Sequence, residues 1–349
     1  MSGSNKLLRL LFAVLPAVTL FAIADYCASY AVRPPAFATF PRSEYIEYDP
    51  LQMWRLRPGF TMGDIAISPE GFRGASPARD SGERLVFVLG GSTVFGVGVP
   101  QEETVVHYLQ ELTDRDQPGQ RYRFINAGVT AYYSTQELIH LERHVLEHQP
   151  AMVIELTGRN DAFYGLHPRY SPDTIPYHGL LREQMGALDP YYTTLEQPPP
   201  QLHIVAWLRG RLPEKPFNWL ADFEEVKLQY KPAATEVFLR NVEAMHSLLQ
   251  GKGVPFHSFL QPTLRVPPRT LSPEEEELPV DFYLDALDAA YADLAHASEQ
   301  QLSPDWFHGF ARLSGAPGQR FIDNVHFNRE GAREAAEAIH AQIFAQITP

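Results

Sequence analysis

The chain has 349 residues, 44% hydrophobic and 20% charged, an ordinary globular composition with room for one large domain or two smaller ones. A formal net charge of -13 repels nucleic acid and anionic membrane surfaces and argues against a general polyanion binder. The single cysteine, Cys27, excludes an intrachain disulfide and any structural zinc site built on several thiolates.

The N-terminal segment "KLLRLLFAVLPAVTLFAIADY" carries Lys6 and Arg9 ahead of an apolar run that ends near Ala24. The uncharged stretch Leu10 to Ala24 is shorter than the roughly 20 residues of a standard transmembrane helix. Leu7 and Leu8, with Arg9 snorkelling, bring it to marginal spanning length. Residues 1–30 therefore read as an uncleaved signal anchor in preference to a cleaved signal peptide, for which "AIA" at 22–24 offers a small-residue site. As an anchor, the segment makes the membrane a partner. Lys6 and Arg9 keep the short side cytoplasmic and send the bulk of the chain outward. Cleavage would leave the protein secreted or periplasmic. Cys27 reads as a membrane-proximal free thiol.

Residues 31–80 read as a linker and a strand-rich extension. "AVRPPAFATFPRSE" is proline-rich and aperiodic, while "YIEYDPLQMWRLRPG" and "ISPEGFRGAS" suggest short strands and turns packed on the main domain. From residue 84 strands and helices alternate. "RLVFVLGG", "RYRFINAG", "AMVIELTGRND" and "VPFHSFLQP" are apolar strand candidates. Helices are expected in "QEETVVHYLQELTDR", in "YSTQELIHLERHVLEHQP" with Ser134 or Thr135 as cap, in "ATEVFLRNVEAMHSLLQGKG", in "DFYLDALDAAYADLAHASEQ" and at the C-terminus. This alternation implies an α/β fold, a parallel sheet covered on both faces. Residues 162–230, rich in Pro, Tyr, Trp and Leu, interrupt it and read as a cap-like insertion. The acid run of "SPEEEELPVDF" reads as a solvated loop or a helix start. There is no Walker-type phosphate loop, dinucleotide GxGxxG or HExxH, so neither a nucleotide nor a metal is implied. His140, His144 and His148 share a spacing that could suit a metal, yet ordinary surface histidines are the simpler reading.

Four separated pieces carry candidate chemistry. Ser92 follows a strand end, where open α/β sheets place their sites, although helix capping is the simpler local reading of it. Gly128 ends "INAG", as a turn residue or as a backbone N–H free to face an acyl oxygen. Asn160, in "TGRND", either ties down its own turn or donates to the same oxygen. Asp323 and His326, in "IDNVHFNREG", have a spacing that can bring a carboxylate to one imidazole nitrogen and leave the other facing a serine.

Together these pieces resemble the SGNH hydrolases, the GDSL-type esterases and lipases. "GGST" corresponds to the first block, with Gly91 where an aspartate is usual; "INAG" to the second; Gly158, Asn160 and Asp161 to the GxND block; and Asp323 to His326 to the DxxH block. The resemblance covers about residues 84–342. It implies a three-layer α/β/α sandwich of the SGNH or flavodoxin-like type, with the hydrolase domain at residues 81–349. It also implies a catalytic set of Ser92, Asp323 and His326, and an oxyanion hole from the Ser92 and Gly128 N–H groups and the Asn160 amide. The implied reaction is hydrolysis of an O-acyl or carboxylic ester, of a small molecule, glycan or lipid, without metal or organic cofactor. The alternatives are an O-acyltransferase acting on a cell-surface glycan and a non-catalytic, membrane-tethered binding module.

Overall fold

A computed structural model of the chain describes residues 14, 16, 18–27, 45–78, 82–168, 170–175, 228–313 and 318–344. The chain divides into two compact units, Met1–Arg42 with Tyr177–Trp219, and Ser43–Pro176 with Leu220–Pro349.

In the first unit the described residues 18–27 are helical. Among the described residues no helix is long and apolar enough to cross a membrane. The physical reason is length. An ideal helix over Leu10 to Ala24 spans about 22 Å against a hydrocarbon layer of about 30 Å, and Asp25 follows directly. This corrects the expectation of a single-pass anchor, and with it the membrane partner and the localisation drawn from it. Lys6 and Arg9, the linker 31–44 and most of the insertion expected at 162–230 lie outside the described residues.

The second unit begins with two small antiparallel pairs, β1 (Ile46–Asp49) with β2 (Met53–Leu56) and β3 (Thr61–Met62) with β4 (Ile65–Ala66). Five parallel strands follow: β5 (Arg84–Gly90), β6 (Tyr122–Gly128), β7 (Met152–Thr157), β8 (Phe256–Leu260) and β9 (Phe307–Phe310). Their spatial order is β6-β5-β7-β8-β9. Counted within this sheet it is 2-1-3-4-5, the flavodoxin-like order, with its switch point between β5 and β7. Every residue of β7 is buried, and Leu85 to Leu89 of β5 are at most 1% exposed. That burial is why Leu85 to Leu89 read as an unbroken apolar run, while β7 carries the buried Glu155 and Thr157 among its apolar residues.

The helices are α1 (Ser92–Phe95), α2 (Val105–Asp116), α3 (Ser134–His140), α4 (Arg159–Leu166), α5 (Ala233–Gln250), α6 (Pro273–Glu276), α7 (Leu284–Gln301) and α8 (Arg329–Phe344). Alternate residues of a strand face opposite sides. Val86 and Val88 pack with Val105, Val106 and Leu109 of α2 and with Ala335, Ala336 and Ile339 of α8. Phe87, facing the other way, meets Phe72 and His148. On that second face α5 packs against α3, α4 and α7. The result is the three-layer α/β/α sandwich expected from the alternation.

Several details depart from the sequence reading. The edge strand β9 was not foreseen, because "FHGF" has no apolar run to mark it. Neither Ser134 nor Thr135 caps α3; the N-cap is Tyr133 and lends no side chain. After His140 that helix widens into a π turn, Leu141–Val145, and closes as a 3-10 turn, Leu146–His148. His140 is buried at 5% exposure, not a surface residue, with its ring against Tyr132, Phe72 and His144. No group of three metal-ligating side chains occurs among the described residues. Helix α4 runs to Leu166, so the interruption of the alternation begins beyond residue 162. The acid run does start a helix, in a capping box made by Ser272 and Glu275, but Glu275 is buried and paired with Arg269 at 2.8 Å.

Candidate active site

The ends of three neighbouring strands, β6, β5 and β7, stand level. Gly90 of β5 pairs with Gly128 of β6 and with Leu156 of β7. The segments leaving these ends therefore emerge side by side at the switch point. Ser92 opens α1 two residues past β5, and Asn160 lies in the first turn of α4, just past β7.

The fourth piece comes from the far end of the chain. Residues 320–328 form a tight turn, with Phe321 bridged to Phe327 and Ile322 N donating to His326 O at 2.9 Å. Inside it, Asp323 Oδ1 accepts the N–H groups of Val325 and His326, each at 2.8 Å. Asp323 Oδ2 lies 2.7 Å from His326 Nδ1, and His326 Nε2 lies 2.8 Å from Ser92 Oγ. Burial raises the Asp323 pKa, but its bond and charge interaction with His326, aided by the two backbone donors, outweigh that and hold it at about 2. Asp323 is thus a carboxylate at neutral pH and fixes the Nδ1 proton between itself and the ring. Nε2 is left as an acceptor toward the serine. The turn is held by Asn324, whose Nδ2 donates to Asp281 Oδ2 at 2.8 Å and whose O accepts Leu264 N at 3.1 Å. Thr93 and Gln261 donate to Val325 O at 3.4 and 3.3 Å.

Asn160 is brought beside the serine. A Cβ on Gly91 would lie 2.8 Å from Asn160 Nδ2 and 3.2 Å from Tyr132 O, which gives a steric reason for glycine in "GGST". Asn160 Nδ2 donates one hydrogen to Tyr132 O at 2.7 Å, and its second hydrogen remains. Behind it Asp161 is buried and accepts from Ser134 N at 3.2 Å and Ser134 Oγ at 2.5 Å. Burial pushes the Asp161 pKa up to about 7 against those bonds.

Gly128 is a different matter. Its N–H donates to Asn126 Oδ1 at 3.0 Å, and a Cβ there would collide with the backbone of Val94 and Phe95. The glycine lets α1 lie on the end of β6, and its donor is already used. The loop beyond it holds a residue that sequence reasoning missed. Ala131 has φ of 63°, in the left-handed region that residues other than Gly, Asn and Asp rarely enter. Its carbonyl accepts from Tyr164 OH at 3.0 Å, and its N–H has no partner among the described residues. It directly precedes Tyr132, whose carbonyl holds Asn160. The only sequence signal is a small residue, Ala131, in the loop after "INAG", which is too weak to single it out.

No family model matches the chain, and no curated protein matches it. Its fold overlaps loosely with solved lipases and esterases. A lipase from a goat rumen metagenome is 13% identical, with 75% of this chain and 98% of that one covered and a TM-score of 0.43. A psychrotrophic esterase from Pseudoalteromonas sp. is 13% identical, covering 76% and 98%, with a TM-score of 0.39. A GDSL-like lipase from Bacteroides thetaiotaomicron is 14% identical, covering 76% and 87%, with a TM-score of 0.35. Overlaps of this quality assign no activity.

Proposed function

We propose that the chain is a serine ester hydrolase of the SGNH type, acting on an O-acyl or carboxylic ester. One observation carries the reading: the unbroken set of contacts from Ser92 Oγ through His326 to the ionised Asp323. Ser92 Oγ attacks the acyl carbon as its proton passes to His326 Nε2. Asp323 holds the ring in the required tautomer and stabilises the imidazolium that forms. The carbonyl π electrons move to oxygen, and the resulting oxyanion is met by the Ser92 N–H, the free hydrogen of Asn160 Nδ2 and, in place of the occupied Gly128 donor, the N–H of Ala131. The alcohol then leaves with the proton from His326 Nε2, giving an acyl-Ser92. Water attacks that ester with His326 again as base, releases the acid and restores Ser92.

The test is hydrolysis of short p-nitrophenyl esters by the full chain. Turnover that disappears in Ser92→Ala and in His326→Ala supports the assignment. Unchanged turnover in Ser92→Ala removes it.

A further inference from the structure

The nucleophile stands on a single helical turn. Four residues, Ser92 to Phe95, cannot hold a helical geometry alone, because nucleation costs more than one hydrogen bond returns. The 2.8 Å contact from Ser92 Oγ to His326 must therefore be set by what grips the turn from outside. The carbonyl end of that turn is gripped by a residue of the N-terminal extension. Arg73, from "SPEGFRG", is 1% exposed. Its Nη1 donates to Phe95 O and, at 2.6 Å, to Gly96 O; its Nη2 donates to Val99 O at 2.9 Å. The guanidinium carbon lies 4.6 Å from the centroid of the Phe95 ring. The Arg73 backbone is fixed in turn, its N–H donating to Asn126 O at 3.2 Å. Asn126 completes the grip by donating from Nδ2 to Val94 O at 2.8 Å.

Every charge-assisted bond that Arg73 makes to this segment ends on a backbone carbonyl. An arginine offers five donors in a rigid fork, so it can fix the last carbonyl of the turn and two carbonyls of the segment that leaves it at once. A lysine at the same place would present a point charge on a flexible stem. The rest of the extension is stitched to the neighbouring loop. Trp54 Nε1 donates to Thr130 O at 2.9 Å, and Tyr132 OH donates to Trp54 O at 2.6 Å.

We propose that Arg73 is a positioning residue for the nucleophile: its guanidinium clamps the carbonyl end of the Ser92 turn and so sets the Ser92–His326 contact. The N-terminal extension is then part of the active-site scaffold and not only a cover for the sheet. The proposal rests on the esterase reading above. A misplaced nucleophile lowers the rate of attack and leaves substrate affinity alone, since Arg73 is buried beneath the turn and does not meet substrate.

The experiment compares the full chain with Arg73→Lys, Arg73→Gln and Ser92→Ala, each checked for folding by circular dichroism and thermal melting. Turnover of p-nitrophenyl acetate and the rate of Ser92 phosphonylation by a fluorophosphonate, with loss of fluoride, are measured per folded molecule. In folded Arg73→Lys we expect kcat to fall about 10- to 100-fold, KM to stay within about twofold, and the labelling rate to fall in parallel. Arg73→Gln, which keeps a planar pair of donors without charge, should behave alike. The proposal is overturned by a kcat within twofold of wild type in either folded variant. It is equally overturned if neither variant folds, because Arg73 then serves stability alone. Turnover surviving in Ser92→Ala would instead bring down the esterase reading itself.

Discussion

Asp323→Asn isolates the tautomer that His326 must hold. The carboxylate accepts three hydrogen bonds: the backbone N–H groups of Val325 and His326 at 2.8 Å on Oδ1, and His326 Nδ1 at 2.7 Å on Oδ2. An asparagine has one acceptor oxygen. If that oxygen faces Nδ1, the amide NH2 points at two backbone donors, and each donor stripped of its acceptor costs about 1–3 kcal/mol when buried. The amide therefore turns the other way, keeping the backbone bonds and presenting NH2 to Nδ1. Nδ1 must then accept, so the ring proton moves to Nε2, where it points at Ser92 Oγ and the serine proton has no destination. In the worked serine-protease triad the same substitution lowers kcat about 10⁴-fold, near 5.4 kcal/mol. The Asp323 side chain is 48% exposed, so water partly substitutes and a loss of about 10³-fold is expected here. The assay is kcat on p-nitrophenyl acetate, with the melting temperature as control. A folded Asp323→Asn enzyme within tenfold of wild type would refute the reasoning.

Four further outcomes follow from the structure. Asn160→Ala removes the side-chain donor proposed for the oxyanion and should lower kcat about 10²- to 10³-fold with little change in melting temperature; an unaltered kcat would leave Asn160 a loop tie to Tyr132. Gly128→Ala drives a methyl into the backbone of Val94 and Phe95 and should sharply lower the melting temperature, whereas Ala131→Gly should leave kcat within about threefold, since the N–H is retained and the positive φ suits glycine. Glu137, Glu155 and Asp161 are buried together, and burial pushes all three carboxyls up, Glu155 and Asp161 to about 7. A carboxyl raised in the folded state contributes stability in full below its ordinary pKa and loses it as pH rises through the folded value. Melting temperature should therefore decline from about pH 5 to pH 8 for wild type and decline less for Glu155→Gln. Identical profiles in the two proteins would show that this cluster does not titrate with folding.

The alternation of short apolar runs with 3.6-period helices made the sheet legible, because β5 and β7 are buried on both faces and are apolar for most of their length, Glu155 being the buried exception. Glycines and short polar pieces at strand ends marked where side chains could converge, and the three-residue spacing of Asp323 and His326 is the spacing at which a tight turn brings a carboxylate to Nδ1. What stayed hidden depends on contacts between distant segments. Gly128 reads as a free backbone donor, but the Asn126 side chain reaches two residues forward to accept its N–H. Ala131 enters the left-handed region because Val129 O, Tyr132 and Tyr164 hold the loop there, which no local preference for alanine announces. Arg73 looks like one more arginine in a turn until the carbonyls of Phe95, Gly96 and Val99 come to rest on it. In the N-terminal segment the fifteen uncharged residues Leu10 to Ala24 fall short of a bilayer, and Arg9 interrupts the apolar run that would lengthen it.

The central claim is that Ser92 is a nucleophile armed by His326. Reaction of the full chain with a fluorophosphonate, followed by peptide mapping, tests it without choosing a substrate. The adduct should sit on Ser92, be absent from Ser92→Ala, and form at least 100-fold more slowly in His326→Ala, in line with the loss of a general base. Label on another residue, or a folded wild-type protein that takes up none, would contradict it.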